Sequence, residues 1–492
     1  MTIVSSLNNL FLKTYGCQMN VLDSELIADQ LIALGYRIVN RFDDANIILI
    51  NTCSVRALAE QKVWSQLGRL AIYKRQNNPH LIIGVIGCMA EREYVAISQR
   101  MPHVDLICGP SHLHLLPSMI AAVKQTKQTQ LQVAGHVKRG QKTNKAETNI
   151  SNANETSESD NIESLDLSRL ISSANARSQA FVRITRGCDK MCSFCVVPYA
   201  RGPETHRHPQ HIIDEVCKLT LAGAREITLI GQTVNHYHYH DGGVSTSFAD
   251  LLWQIHEAVP SLARLRFVTS YPRDFNNDVL EVMAKAKRMA RYLHLPAQSG
   301  SNKILRAMNR GYTVESYIDL IDRARAFMPD VRFAGDMIVG FPTETEADHQ
   351  ESIKLIERVG YKNLFVFKYS PRPGTVAARR FADDVSEDDK KRRNHELLDV
   401  QARLSHANNN SLIGTTLEVL VESESKLKNT TPVNNESTAS EATLKNGTKR
   451  LLGRTTYDEI VAFTGSPELI GKIVKVKTTA ATSLTLLGEL IN

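Results

Sequence analysis

The sequence predicts a mixed α/β protein in three parts. These are an N-terminal α/β domain with a parallel sheet (residues 8–124), a second α/β domain of six β/α units (178–408) and a small all-β barrel (411–492). Three observations predict it. Apolar strand-like runs alternate with helix-period segments over residues 11–120. The same alternation resumes after a polar stretch and lasts to about residue 405. Helical periodicity then stops, and short strands with turn residues run on from there. A chain of 492 residues needs more than one core, because single cores rarely grow past about 250–300 residues.

In the first domain FLKTYG, YRIVN, NIILIN, LIIGVIG and VDLICG read as short buried strands. VLDSELIADQLIALG and ALAEQKVWSQLGRLAIYKRQ read as helices between them, a βαβ pattern with helices on both faces of a parallel sheet. Residues 125–177 are polar and aperiodic, and predict a disordered linker. In the second domain AFVRIT, EITLIG, RLRFVTS, RYLHLP, VRFAGDMIVG and NLFVFKY supply six strands, enough for an open sheet or an incomplete barrel. In the third, TTLEVLVES, EIVAFTG, IGKIVKVKTTAATS and LTLLGELIN are strands, interrupted by a polar insertion at 425–449 that reads as a disordered hairpin loop.

Composition narrows the class. Lysine and arginine exceed the acids by 59 to 52, a mild basic excess compatible with nucleic acid. No apolar run of about 18 residues predicts a membrane span. The start MTIVSSLNNLFLKTYG lacks the parts of a secretory signal, so a cytoplasmic location is expected. Eight cysteines in such a chain point to metal, cluster or redox chemistry rather than a disulfide framework.

The segment TRGCDKMCSFCVVPYARG follows the first strand of the six-unit domain and carries Cys188, Cys192 and Cys195 as C-x3-C-x2-C. Three thiolates on one tight loop suit three irons of a [4Fe–4S] cluster and leave the fourth iron open for chemistry. Zinc is the competing occupant, but structural zinc takes four protein ligands, and no second cysteine pair stands nearby.

This loop resembles the signature of the radical S-adenosylmethionine (SAM) superfamily. The resemblance implies an incomplete (β/α)6 barrel, SAM on the open iron and its reductive cleavage to a 5′-deoxyadenosyl radical. It also implies that Phe194 packs against the adenine. Other candidate SAM contacts lie where strands end, the side on which α/β folds bind ligands. Gly231 and Gln232 follow the second strand, facing the SAM amino and carboxylate groups. Ser270 follows the third, and His294 and Gln298, with Ser299, follow the fourth. Gly340 ends the fifth, where backbone can approach the adenosine closely. The tract NHYHYHDGG (235–243) could bind metal through alternate histidines but reads as a surface loop.

Cys17, Cys53 and Cys88 each terminate a strand of the N-terminal domain. A parallel sheet brings such ends to one crest, so three distant thiols converge and again suit a cluster with an open iron. Cys53 also precedes a helical segment, whose positive end favours a thiolate. Cys108 ends a strand as well and reads as a core residue, and Cys217 reads as helix packing.

YGCQMN, NTCSVR, RGCDKMCSFCVVPYARGPE, LHLPAQSGSNKILRAMNRGYT and DMIVGFPTET together resemble the methylthiotransferase family of radical SAM enzymes, nearest to the branch acting on N6-dimethylallyladenosine in tRNA. The resemblance spans nearly the whole chain. It implies that Cys17, Cys53 and Cys88 bind an auxiliary [4Fe–4S] cluster, that Cys188, Cys192 and Cys195 bind the SAM cluster, and that the last domain is a TRAM RNA-binding barrel. Two SAM molecules are expected per turnover: one methylates sulfur, and the other yields the radical that takes the C2 hydrogen of the adenosine at position 37. The expected partners are the tRNA anticodon stem-loop and an electron donor such as flavodoxin or ferredoxin, with a monomeric enzyme and no membrane. Branches acting on threonylcarbamoyl-adenosine in tRNA or on a ribosomal-protein aspartate are the alternatives. Thr343 departs from the family, which often has glycine there.

Overall fold

Six parallel strands form the N-terminal sheet in the computed structural model, which describes residues 8–54, 57–135, 163–171, 177–425 and 448–491. They are β1 (Asn9–Tyr15), β2 (Arg37–Ile38), β3 (Ile47–Thr52), β4 (Ile82–Ile86), β5 (Leu106–Cys108) and β6 (Gln130–Gln132), in the order β2-β1-β3-β4-β5-β6. Every residue of β3, β4 and β5 is buried, because helices cover both faces. Helices α1 (Gln18–Ala33) and α4 (Leu116–Thr126) pack on one side through Leu22, Leu26, Leu116 and Ile120. Helices α2 (Ala57–Gln76) and α3 (Cys88–Arg100) pack on the other through Val63, Leu67, Met89 and Ile97. The strand order reverses between β1 and β3, and a crevice opens at such a switch point beyond the carboxyl ends of the strands.

Two parts of the segment expected to be disordered are ordered. The polar strand β6 completes the sheet edge, and residues 163–167 form a helical turn. Backbone bonding holds β6, and the turn is held by the Asp166 ion pair and by Leu165, which packs into the N-terminal core; neither arrangement leaves an apolar period in sequence. Residues 136–162 and 172–176 of that segment, like 426–447 of the insertion read at 425–449, lie outside the described residues; Lys449, the end of that reading, already opens a strand.

In the second domain the six expected strands are β7 (Gln179–Arg183), β10 (Glu226–Ile230), β13 (Arg264–Phe267), β14 (Tyr292–His294), β15 (Arg332–Val339) and β16 (Asn363–Lys368). Between them lie two short hairpins, β8 (Thr185–Arg186) with β9 (Thr205–His206), and β11 (His238–Asp241) with β12 (Val244–Ser247). Strands β7, β10 and β13 form one parallel sheet, and β14, β15 and β16 another. The bridge between Leu265 and Met289 and the bond from Ser270 N–H to His294 O (3.2 Å) continue the wall from β13 to β14. The result is an incomplete (β/α)6 barrel around a core that includes Val182, Leu229, Phe267, Leu293 and Phe333. The histidine tract read as a loop is β11 and the turn before it; its histidine–tyrosine alternation has the two-residue period of a strand.

A helix, Glu387–Asn410, leads to the last domain, a closed barrel of β17 (Thr416–Glu424), β18 (Lys449–Arg454), β19 (Ile460–Gly465), β20 (Ile473–Ala481) and β21 (Leu486–Leu490) in the order β17-β18-β19-β21-β20. Inward Val419, Val421, Leu451, Val461, Phe463, Val476 and Leu486 fill it. It docks on the amino ends of the second-domain strands. Gln179 at the start of β7 bonds Glu422 (2.9 Å), Arg264 at the start of β13 bonds the Arg454 carbonyl (3.3 Å), and Asn363 at the start of β16 bonds Asp458 (2.9 Å).

The N-terminal domain docks elsewhere, through buried charge. Asp23 of α1 is fully buried and accepts from Arg183 of β7 (2.6 Å) and from Arg201 (2.8 Å). Arg183 also pairs with the buried Asp166 (2.8 Å). Burial pushes the Asp23 carboxyl up, but Arg201 and Arg183 outweigh it and hold it below the usual carboxylate range. Removing one partner of such a network strands a buried charge. Arg183→Ala is therefore expected to destabilise the protein by roughly 3–5 kcal/mol, read as a lower urea midpoint. A loss below about 1 kcal/mol, as for a surface pair, would show that the network does not join the domains.

Candidate active site at the meeting of two cysteine sets

Cys17 caps the start of α1 just after β1, Cys53 follows β3, and Cys88 opens α3 just after β4. All three reach the crest of the sheet, with Cys17 and Cys53 at the switch point between β1 and β3. The helix starts favour thiolate at Cys17 and Cys88. The crest is tight. Gly16 has φ +129°, and a Cβ there would stand 2.3 Å from the Cys53 Cβ. Gly87 has φ +89°, and its Cβ would meet the Asn51 side-chain oxygen at 2.2 Å. Asn51 is itself locked to α1, donating to the Asn20 carbonyl and to Ser24 Oγ (both 2.9 Å).

The hydrogen bond with Cys53 outweighs burial and, with the charge of Arg201, draws the Cys17 thiol down to about 6. Burial pushes the Cys88 thiol up, opposed by Arg201. Arg201 ends helix α5 (Val197–Arg201), which starts just after Cys195, so one short helix runs from the second cysteine set to the first. It is buried, bonds Asn20 (3.2 Å) and Asp23 (2.8 Å), and keeps its Nη1 without a hydrogen-bond partner among the described residues. Cys108 lies apart, buried in the apolar cluster between α1 and α4, where burial pushes its thiol far up. Cys217 is partly buried against the barrel core.

Cys188, Cys192 and Cys195 share the loop between β8 and α5. Burial pushes Cys188 up to about 11 and, with the neighbouring Cys192, Cys195 up to about 12. Cys188 and Cys195, desolvated and crowded beside Cys192, become thiolates only with added positive charge, which a metal supplies. Arg310 stands beside them with Nη1 3.3 Å from Cys192 Sγ, steadied by the Pro296 carbonyl (3.0 Å) and the Tyr312 hydroxyl (3.0 Å).

The rim above this loop gathers the other sequence candidates. Gln232 Oε1 and Ser270 Oγ are buried without hydrogen-bond partners among the described residues, as expected of groups that face a polar ligand. Gly231 is closed against Thr185, whose Oγ1 a Cβ would meet at 2.1 Å. His294 spends both ring nitrogens internally, on the Thr269 N–H (3.2 Å) and on Asp336 (3.3 Å). Gln298 has φ +73° and stitches the rim to β15 through Asp336 O and Ile338 N. Gly340 has φ +70°, and the space beside it is filled by the stem of Lys390, 2.2 Å from an added Cβ. Phe194 packs beside Met308, Phe341 and Tyr369. Met191, Thr269, Gln298 and Thr343 all have positive φ, so backbone strain concentrates around this rim. At Thr343 the left-handed backbone is the reason glycine suits that turn.

Residues 9–109 match the uncharacterized protein family UPF0004, residues 182–356 the Radical SAM superfamily and residues 445–491 the TRAM domain. A curated protein of Rhodopirellula baltica is 40% identical over 487 residues, covering 99% of this chain and 96% of its own. One of Chromobacterium violaceum is 40% identical over 486 residues, covering 98% of both. Each bears the name tRNA-2-methylthio-N(6)-dimethylallyladenosine synthase. The chain belongs to this family of methylthiotransferases. It is a radical SAM enzyme, with the iron–sulfur and SAM chemistry of that class. The solved radical SAM methyltransferase TsrM of Kitasatospora setae shares the fold, with TM-score 0.52 at 14% identity over 75% of this chain and 77% of that one.

The cysteines and the orphaned polar atoms fit the iron–sulfur and SAM chemistry of that class. Arg201 and Arg310 are the residues that sequence reading missed. Both stand inside quoted motifs, YARG and MNRG, but a lone arginine shows no partner until the fold supplies one. Gly16→Ala drives a methyl group into Cys53. After anaerobic reconstitution its iron content is expected to fall to about half, one cluster of two, while Gly68→Ala on the open face of α2 leaves iron unchanged. Equal iron in the Gly16 variant and the parent would show that the crest does not hold a cluster.

Proposed function

We propose that the enzyme methylthiolates C2 of N6-(dimethylallyl)adenosine at position 37 of tRNA, next to the anticodon, giving 2-methylthio-N6-(dimethylallyl)adenosine. The observation that carries this reading is the convergence of two three-cysteine sets, joined by α5 and Arg201, in a chain 40% identical to synthases of that product over nearly its full length. Cys17, Cys53 and Cys88 would hold an auxiliary [4Fe–4S] cluster, and Cys188, Cys192 and Cys195 the cluster that binds SAM. Bound there, the clusters and two SAM per turnover supply a methylated sulfur and a radical strong enough for an unactivated C–H bond.

The chain's own residues orient and shield these groups. Gln232 and Ser270 offer buried polar atoms to SAM, with Gly231 keeping the wall between them thin. Phe194, Gln298, His294 and Gly340 shape the rim, His294 by fixing the Thr269 turn. Arg201 and Arg310 place fixed positive charge beside the two thiolate sets, where developing negative charge needs it. The docked crest of the N-terminal domain excludes water from the space between them. The adenosine must be splayed out of the anticodon loop to enter. On this reading the enzyme is a cytoplasmic monomer served by flavodoxin or ferredoxin. Among the described residues no helix is long and apolar enough to cross a membrane.

Mass spectrometry of tRNA nucleosides from a deletion strain tests the reaction: the 2-methylthio group is expected to vanish and the dimethylallyl precursor to accumulate. An unchanged 2-methylthio level would sink the assignment. The TRAM barrel displays Lys475 and Lys477 on the outer face of β20 and Lys472 just before it, all exposed. Changing Lys475 and Lys477 to Gln is expected to weaken tRNA binding and to lower the salt slope by roughly 1 per lysine. Unchanged affinity and slope would place the RNA contact on another surface.

A further inference from the structure

Glu204, His206 and His236 stand together outside both cysteine sets. Their ligand atoms lie within 4.8 Å of one another. Glu204 Oε1 is 3.4 Å from His206 Nε2, and Oε2 is 3.0 Å from His236 Nδ1. Four-coordinate zinc, with ligands at 2.0–2.1 Å, spaces its donor atoms roughly 3.3 Å apart. We propose that these three residues form a third metal site, taking a divalent ion of the zinc class through two imidazoles and one carboxylate.

The bonding around the cluster supports an ion rather than a simple hydrogen-bonded pair. The Glu204 side chain is only 2% exposed. Its Oε2 is buried and receives no well-directed hydrogen bond among the described residues, although His236 Nδ1 is at contact distance. Two acceptor atoms drawn together in that way are what two ligands of one cation look like. The outer partners fit as well. Thr233 Oγ1 donates to Glu204 Oε1 (3.1 Å), and His206 Nδ1 lies 2.5 Å from the His238 carbonyl oxygen and 3.1 Å from its N–H. In the tautomer that donates Nδ1–H to that carbonyl, the Nε2 lone pair faces Glu204, the usual arrangement of a metal-bound histidine.

The place of the site gives it a role. Cys188 N–H bonds the Gly202 carbonyl (3.1 Å), and Glu204 N–H bonds Asp189 (3.3 Å), so Glu204 belongs to the frame of the cysteine loop. His236 belongs to the turn that follows Gln232. An ion between them ties the loop of one cofactor to the wall that faces SAM. His236 is 43% exposed, so a fourth coordination position opens to solvent.

The test uses the full chain with its clusters reconstituted anaerobically, equilibrated with Zn²⁺ and desalted. Elemental analysis is expected to find one zinc per chain beyond the cluster iron, and zinc-edge X-ray absorption to find nitrogen and oxygen neighbours without sulfur. His206→Ala and His236→Ala are each expected to weaken zinc binding by roughly tenfold or more at unchanged iron content, and the exposed His240→Ala to leave it intact. If either ligand variant also loses iron, Thr233→Val, which keeps all three ligands, is expected to weaken zinc by roughly tenfold. No stoichiometric zinc, sulfur in its shell, or zinc undiminished in these variants would overturn the proposal and leave Glu204 as a carboxylate hydrogen-bonded to His206 and Thr233 beside His236.

Discussion

A carboxylate with no exposure, clasped by two arginines from another domain, is the constraint on which the active site depends. Asp23 lies on the first helix of the N-terminal domain, and Arg183 and Arg201 belong to the barrel. None of the three is tolerable alone in the interior, because an unpaired buried ion costs several kcal/mol. Together they fix the crest of one sheet against the mouth of the other. Arg201 carries the constraint further, since its charge also reaches Cys17 and Cys88. Domain docking and the electrostatics of the first cysteine set are thus one arrangement of atoms.

The two sets differ in how they are built. The loop of Cys188, Cys192 and Cys195 is local and is held by its own hairpin and by α5. The set of Cys17, Cys53 and Cys88 exists only because three parallel strands end on one edge. Its tolerance is set by glycines that keep Cβ atoms away from Cys53 and Asn51. The rim between the sets stores backbone strain at Thr269 and Gln298, held in place by bonds from His294 and β15. The groups best placed for ligand are therefore small or already oriented, and need little rearrangement on binding.

Much of this was legible in the sequence. All six barrel strands follow apolar runs, and both cysteine sets follow from spacing or from strand ends. What stayed hidden has physical causes. The strand β6 has one exposed leucine between glutamines, and the turn at 163–167 buries Leu165 as its only apolar side chain, so each is fixed by partners far away in sequence rather than by a periodic apolar face. Arg201 and Arg310 look like surface charges until packing buries them. Gly340 looked like room for a nucleoside, whereas the neighbour it admits is the stem of Lys390. The tract at 235–243 carried two patterns at once, a strand alternation and a histidine cluster, and only the fold shows that His236 meets Glu204 while His240 does not.

The TRAM barrel and the candidate rim sit at opposite ends of the same strands. Gln179, Arg264 and Asn363 at the amino ends hold the barrel, and Gln232, Ser270 and Gln298 follow the carboxyl ends. The eight-residue strand β15 spans about 25 Å between those ends. A tRNA engaged at both must therefore run along the outside of the enzyme for at least that distance. The fold acts as a caliper: one jaw tests the chemistry of a single base, and the other tests whether a helix of sufficient length is attached to it.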